Sequence, residues 1–383
     1  MSSVLSGGLV ATPRATLEPL DVTIAHGRIV ALEPHRARTR SSLDPSAVID
    51  VDRHIVAPGL IDLQINGGWG RDFTGDPSAI AEVGRQLPST GVTSFVPTIV
   101  SSSTVRRTSA IEAYADLTPD PTAATALGLH FEGPVISPSR AGAHNTDHIG
   151  LPPADELKAW VRERGILIVT LAPEVPGALE LTTRLCAAGV IVSVGHTMCS
   201  PEQFAAARAA GATMVTHLFN AMAPFSHRDP GPIGSALADD QVHASIICDG
   251  IHVDPVAVRM VWQAIGPERL VLVTDAVAAL GHEAAALRLG DRTVTVSDRG
   301  VRTADDVLAG SNLSLDQAVR NLIAFAGCSP THAIQTATGT PAGILGLADR
   351  GRVEVGARAD LVVFDADLNV VRTIIGGTTA WKS

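Results

Sequence analysis

The chain has 383 residues, 45% of them apolar and 18% charged, and a formal net charge of −10. That length suits one large domain with a small one appended, and the apolar share supports a substantial core. No apolar run approaches the roughly 18 residues that span a bilayer, and no basic cluster offers the positive stripe that nucleic-acid phosphates need, so neither a membrane nor a nucleic acid is expected as a partner.

The amino-terminal stretch "MSSVLSGGLVATPRATLEPL" lacks a basic segment followed by a sustained apolar one, so a cytoplasmic location is expected. Cys186, Cys199, Cys248 and Cys328 show no paired spacing, which argues against a disulfide framework or a structural zinc ribbon. Lys158 and Lys382 are the only two lysines, so lysine-based chemistry is nearly excluded and no P-loop signature exists.

Residues 1–57 contain the short strand-like pieces "DVTIAHGRIVAL" and "AVIDVD". From residue 58 onward, β-branched runs alternate with Ala-rich segments of helical period, the pattern of βα units and a parallel sheet. The runs are LIDLQI (60–65), SFVPTIV (94–100), ALGLHFEG (126–133), ILIVTLAPE (166–174), VIVSVGHT (190–197), ATMVTHLFN (212–220), HASIICDG (243–250) and RLVLVTDA (269–276). Eight such runs predict an α/β chain built on a (β/α)8 TIM barrel over residues 58–345.

Between the runs, Ser200-Pro201-Glu202-Gln203 predicts a helix start with an N-cap serine, a proline at the first position and a glutamine at the third. Ser329-Pro330 opens another helix, expected to run through "THAIQTATGTPAGIL" until Gly339 or Pro341 stops it. Residues 346–383 are again β-rich ("GRVEVG", "ADLVVFD", "VVRTIIGG"). Neither end is long enough for a core of its own, so 1–57 and 346–383 together are expected to form one small β-sandwich domain beside the barrel.

Catalytic groups in such a barrel stand at the C-terminal ends of the strands. Those ends carry Glu132, His196, His217 with Asn220, Asp249 with His252, and Asp275. Any one alone reads as a cap or a packing group. Together, one carboxylate, two imidazoles and a further carboxylate on one rim fit a catalytic metal site with three protein ligands and an open position. His130 shares a strand face with Glu132 and reads as a barrel-interior residue. His26, His35, His54, His148, His243, His282 and His332 read as structural, without identifiable partners.

The motifs "LHFEGPVISPSRAGAHN", "VGHTMCSPEQ", "THLFNAMAPFSHRDPG", "CDGIHVD", "LVTDA" and "VLAGSNLSLDQAVRNL" resemble, in this order, the N-acetylglucosamine-6-phosphate deacetylase family of the amidohydrolase superfamily. The resemblance runs from "PGLID" to "GRVEVGARADLVVFD", essentially the whole chain. It implies Glu132, His196 and His217 as metal ligands, Asp275 as general base and acid, and His144 as donor to the carbonyl oxygen. It also implies a substrate site formed by Ala143, His144, Asn220, Ala221, Arg228, Asp249, Gly250, Ile251, His252, Leu308, Ala309 and Gly310. The substrate would be an amino-sugar phosphate, whose phosphate His252 helps to hold. Arg228 would reach that phosphate in the neighbouring active site of a homodimer, although by itself it reads as a surface arginine on a Pro/Gly loop.

In "PGLIDLQING", Gln64 and Asn66 stand where metal-dependent hydrolase barrels of this kind carry His-x-His. Neutral amides are poor ligands, so one divalent metal per subunit is expected: Zn2+ by its ligand set, with Fe2+, Co2+ or Mn2+ also compatible. Gln64 and Asn66 would contact water or occupy the second-metal position. The activity implied is deacetylation of N-acetylglucosamine 6-phosphate in amino-sugar catabolism and cell-wall recycling. The alternatives are a barrel that only binds a sugar phosphate, and an amidohydrolase acting on a different amide or cyclic amidine. Hydantoinase-like two-metal chemistry is set aside, because it needs a lysine on the fourth strand.

Overall fold

The apolar runs close into a barrel of eight parallel strands. These are β1 (Leu60–Ile65), β2 (Val92–Val100), β3 (Leu129–Glu132), β4 (Ile166–Leu171), β5 (Ile191–Val194), β6 (Met214–Val215), β7 (His243–Ile247) and β8 (Leu270–Val273). The computed structural model describes residues 2–35 and 47–383; Met1 and residues 36–46, part of the expected 1–57 portion, lie outside the described residues. Nearly every strand residue is buried, as runs covered by helices outside and packed side chains inside must be.

Strands pair in sequence order from β1 to β8. The ring closes just beyond the last two strand ends through a parallel bridge between Ile65 and Ala276. There Asn66 N–H donates to the Ala276 carbonyl at 2.7 Å, and Asp275 N–H to that of Gln64 at 2.8 Å. Lower down, the fully buried Asp62 joins β1 to β8 by accepting the Thr274 hydroxyl at 2.6 Å, and burial pushes its carboxyl up to about 7.

Ser200 makes the expected capping box at the head of the helix Pro201–Ala209. Ser329 likewise caps the helix Pro330–Gln335. That helix, however, ends before Gly339, which opens a second one, Gly339–Leu345. The break has a tertiary cause: the carbonyls of Thr336 and Ala337 leave helical bonding to accept Leu272 N–H of β8 at 3.1 Å and Ile61 N–H of β1 at 2.8 Å. Pro341 then falls in the first helical turn, where a missing N–H costs nothing.

Both termini build one continuous mixed sheet. It joins Ser2–Ala11, Leu17–Ala25, Arg28–Pro34, Val48–Asp50 and Ile55–Pro58 to Leu361–Phe364, Val370–Ile375 and Thr378–Lys382. Its core of Leu5, Val10, Val22, Ile29, Val56, Leu361 and Val363 is distinct from that of the barrel. Asp360 ties the two units together: it receives Arg358 Nε at 2.8 Å and Arg350, which also reaches Ser94 Oγ at 3.3 Å on β2.

A third sheet was not anticipated. Ala286–Leu289, Arg292–Ser297 and Gly300–Thr303 form an antiparallel flap after β8, packed over Val277, Leu289, Val294, Val301 and Ala309. Its signal was present in the alternation of "RTVTVS" between two short polar turns. The first turn is pinned: Gly290 N–H donates to Asp72 at 2.8 Å, and Asp291 pairs with Arg106 at 2.5 Å and His148 at 3.0 Å. His148 and His35, which pairs with Asp21 at 2.8 Å, thus have partners that the sequence did not reveal.

Behind β3, Arg107 meets Glu156 through two bonds of 2.6 and 2.9 Å with both side chains about 5% exposed. Its guanidinium lies 6.0 Å from the ring of Trp160, which packs on Phe131 at 4.9 Å. Arg107→Ala leaves a buried carboxylate unpaired and is expected to cost about 3 to 5 kcal/mol in urea unfolding. A loss under about 1 kcal/mol would show that the pair contributes little.

Candidate metal centre and active site

Each chemical group stands at or just beyond a strand end. Glu132 closes β3, whereas His196, His217 and Asp275 each follow their strands by two residues. Those three have φ of 48°, 30° and 48°, the left-handed region that non-glycine residues avoid at a cost of roughly 1 to 3 kcal/mol each. Their surroundings enforce it. Ser245 Oγ accepts the N–H of His217 at 2.8 Å, and the Asp275 carbonyl accepts Ser311 N–H at 2.9 Å. Gly310, with φ of +66°, permits that last approach, since a Cβ there would lie 2.7 Å from the Asp275 carbonyl oxygen.

Three donor atoms converge. Glu132 Oε1 lies 3.1 Å from His196 Nε2 and 2.9 Å from His217 Nε2, and the two Nε2 atoms are 3.2 Å apart. Ligands about 2.0 to 2.1 Å from a tetrahedral ion sit roughly 3.3 Å from one another, so this triangle fits a divalent metal with slight expansion. The donor chemistry fits as well. His196 Nδ1 is 2.8 Å from the Arg140 carbonyl, an acceptor only, so the ring proton sits there and Nε2 presents its lone pair. His217 Nδ1 is buried with no hydrogen-bond partner among the described residues. Burial alone would raise the Glu132 carboxyl, but its neighbours His144, His196 and His217 outweigh it and hold it well below its usual range. Among the described residues, Glu132, His196 and His217 are the one such cluster.

Gln64 and Asn66 turn their amide nitrogens toward carboxylates. Gln64 Nε2 donates to Glu132 Oε1 at 3.0 Å and to Asp275 Oδ1 at 3.2 Å, and Asn66 Nδ2 donates to the same Asp275 oxygen at 2.7 Å. Their donors, not lone pairs, thus face the two carboxylates. Burial, followed by repulsion from Glu132, pushes Asp275 up to about 6.

These groups open onto a cavity of about 330 Å³. Glu132, His144, His196, His217, Asn220, Ala221, His252, Asp275, Ala143, Leu308, Gly310 and Asn66 line it. Burial and then His196 lower the His144 ring, favouring its neutral form. Asp249 does not face the cavity wall; it holds His252 Nδ1 at 2.7 Å and accepts the N–H groups of Ile251 and His252 at 2.8 Å each. Gly250, Ile251 and Ala309 also lie off the wall, Ala309 in the flap's apolar cluster. Arg228 is exposed and has no hydrogen bond or ion pair among the described residues.

His130 bonds Thr170 Oγ1 at 2.7 Å beneath the centre, and burial lowers it to about 4, so it is a core residue. The sequence reading missed Ser101, whose Oγ and N–H approach His144 Nδ1 at 2.7 and 3.2 Å, and the apolar wall of Val100, Leu289 and Val307. A serine directly after a barrel strand was the available signal for Ser101. Nothing local pointed to Leu289 and Val307, which arrive with the flap.

Comparison with known proteins places this geometry. The chain matches the amidohydrolase family over residues 55–380. It is 37% identical over 411 residues to N-acetylglucosamine-6-phosphate deacetylase of Bos taurus, covering 99% of this chain and 98% of that protein. The solved N-acetylglucosamine-6-phosphate deacetylase of Thermotoga maritima matches it with a TM-score of 0.91 at 34% identity, covering 99% of this chain and 100% of that one. The Mycobacterium smegmatis N-acetyl-D-glucosamine-6-phosphate deacetylase, solved as an aspartate-to-alanine mutant in complex with N-acetyl-D-glucosamine-6-phosphate, matches with a TM-score of 0.88 at 33% identity and covers 99% of each chain.

The donor set leads to a prediction about metal content. Dialysed protein is expected to retain one tightly held divalent ion per chain, and Glu132→Gln to lose it. Elemental analysis finding two tight equivalents would refute the single centre.

Proposed function

The chain belongs to the amidohydrolase family and, within it, to the N-acetylglucosamine-6-phosphate deacetylases, and from that premise we propose how its own residues perform the reaction. It hydrolyses the N-acetyl amide of N-acetyl-D-glucosamine 6-phosphate to D-glucosamine 6-phosphate and acetate, a step of amino-sugar metabolism. The observation that carries the assignment of roles is the convergence of Glu132, His196, His217 and Asp275 on one cavity.

Glu132, His196 and His217 would hold the divalent ion, for which zinc suits a carboxylate and two imidazoles, with Fe2+, Co2+ or Mn2+ also compatible. Such an ion supplies Lewis acidity and a water acidic enough to attack near neutral pH. Asp275 takes the proton of the attacking water and delivers it to the amide nitrogen, since an amine leaves only when protonated. Gln64 and Asn66 fix Asp275 Oδ1 for that transfer. His144 donates to the carbonyl oxygen as negative charge develops there.

His252, steadied by Asp249, and Asn220 take the sugar phosphate. Arg228 supports a homodimer: a guanidinium exposed and unpaired among the described residues is suited to the phosphate in the neighbouring subunit's cavity. The barrel of 58–345 carries this chemistry, beside the domain of 1–57 and 346–383. Four free thiols favour the reducing cytoplasm.

Asp275→Asn is expected to keep its metal yet lose on the order of 100-fold or more in turnover, measured as acetate release. Near-normal hydrolysis by that variant would remove Asp275 from the mechanism. Unphosphorylated N-acetylglucosamine is expected to react with kcat/KM lower by about 100-fold or more, as charge-assisted hydrogen bonds are lost. Comparable values for the two sugars would overturn the phosphate site.

A further inference from the structure

His196 and His144 stand side by side, ring centroids 4.6 Å apart, yet their Nδ1 atoms meet opposite partners. For His196 the partner is a carbonyl oxygen, which only accepts. His144 Nδ1 instead receives the backbone N–H of Ser101 at 3.2 Å, a group that only donates. His144 Nδ1 must therefore present its lone pair, and the proton of the neutral ring sits on Nε2. That atom lies on the cavity side, 3.8 Å from Glu132 Oε2.

The Ser101 hydroxyl, 2.7 Å from the same Nδ1, is the closer of the two contacts. Ser101 directly follows the last residue of β2 and is 4% exposed. Gly133 makes room for that hydroxyl, since an added Cβ there would sit 2.4 Å from Ser101 Oγ.

We propose that Ser101 is a positioning residue for the hydrolysis, holding His144 by its Nδ1 so that Nε2–H is the hydrogen directed at the carbonyl oxygen of the scissile amide. The inference rests on the reading of His144 as that donor. In the other tautomer the ring would turn a lone pair toward the developing oxyanion, so the bond acts mainly in the transition state. Its loss therefore belongs in kcat, with substrate binding little changed.

Steady-state acetate release from the metal-loaded enzyme tests this with Ser101→Ala, Ser101→Thr, His144→Gln and the Ser101→Ala/His144→Gln double variant. Ser101→Ala is expected to lower kcat about tenfold with KM within about twofold, as one hydrogen bond is worth about that factor. Ser101→Thr, which keeps the hydroxyl, is expected to recover most of the loss. In the His144→Gln background, Ser101→Ala is expected to have no further effect, because it acts through the ring already removed.

Normal turnover in Ser101→Ala, no recovery in Ser101→Thr, or an equal loss in both backgrounds would overturn the positioning role alone. Normal turnover in His144→Gln would overturn the donor reading of His144 and this inference with it. A thermal melt of each variant separates unfolding from catalysis, and Ser101→Gly, expected to match Ser101→Ala, serves as the second deletion of the hydroxyl.

Discussion

One buried carboxylate organises the mouth of this barrel. Glu132 is 3% exposed, and its Oε1 lies within hydrogen-bond distance of His196, His217 and Gln64 at once. A charge removed from water to that extent is tolerable only when cationic or hydrogen-bonding partners surround it. Every other feature of the site meets that demand, from the left-handed backbone at His196 and His217 to the tight closure of β1 on β8 beside it. A divalent ion would answer it most completely, and the two imidazole nitrogens that would hold it face each other across 3.2 Å.

The same constraint explains the first strand. Two carboxylates, Glu132 and Asp275, approach one another, and something must separate them electrostatically. Gln64 and Asn66 do so with amide hydrogens, both of which reach Asp275 Oδ1 while Gln64 also reaches Glu132. Amide donors at this position thus bridge the two carboxylates, and the residues that are poor metal ligands hold Asp275 in place.

Around this centre the cavity is roofed by segments that the barrel only anchors. The flap brings Leu289, and the segment after β3 brings Arg140, Ala143 and His144. Asp72 and Asp291 fasten the flap's first turn, Asp291 through Arg106 and through His148 of that same segment. Apolar wall and polar donors are therefore held in register by a few charged contacts at the rim, and the strand ends themselves supply Glu132, His196, His217 and Asp275.

The sequence was sufficient for the barrel, for the strands at the two termini and for placing Glu132, His196, His217 and Asp275 at the strand ends. Strand periodicity and the polar residue at each strand end are local properties, carried within a few residues of one another. Tertiary structure decided the rest. Which atom of Asn66 faces Asp275 depends on a contact spanning 209 residues, and the tautomer of His144 on one spanning 43. The early end of the Pro330–Gln335 helix likewise depends on strands that compete for its carbonyls. Residue type determines which atoms can donate or accept; only the folded chain determines which of them meet, because hydrogen-bond direction is settled by the partner and not by the residue alone.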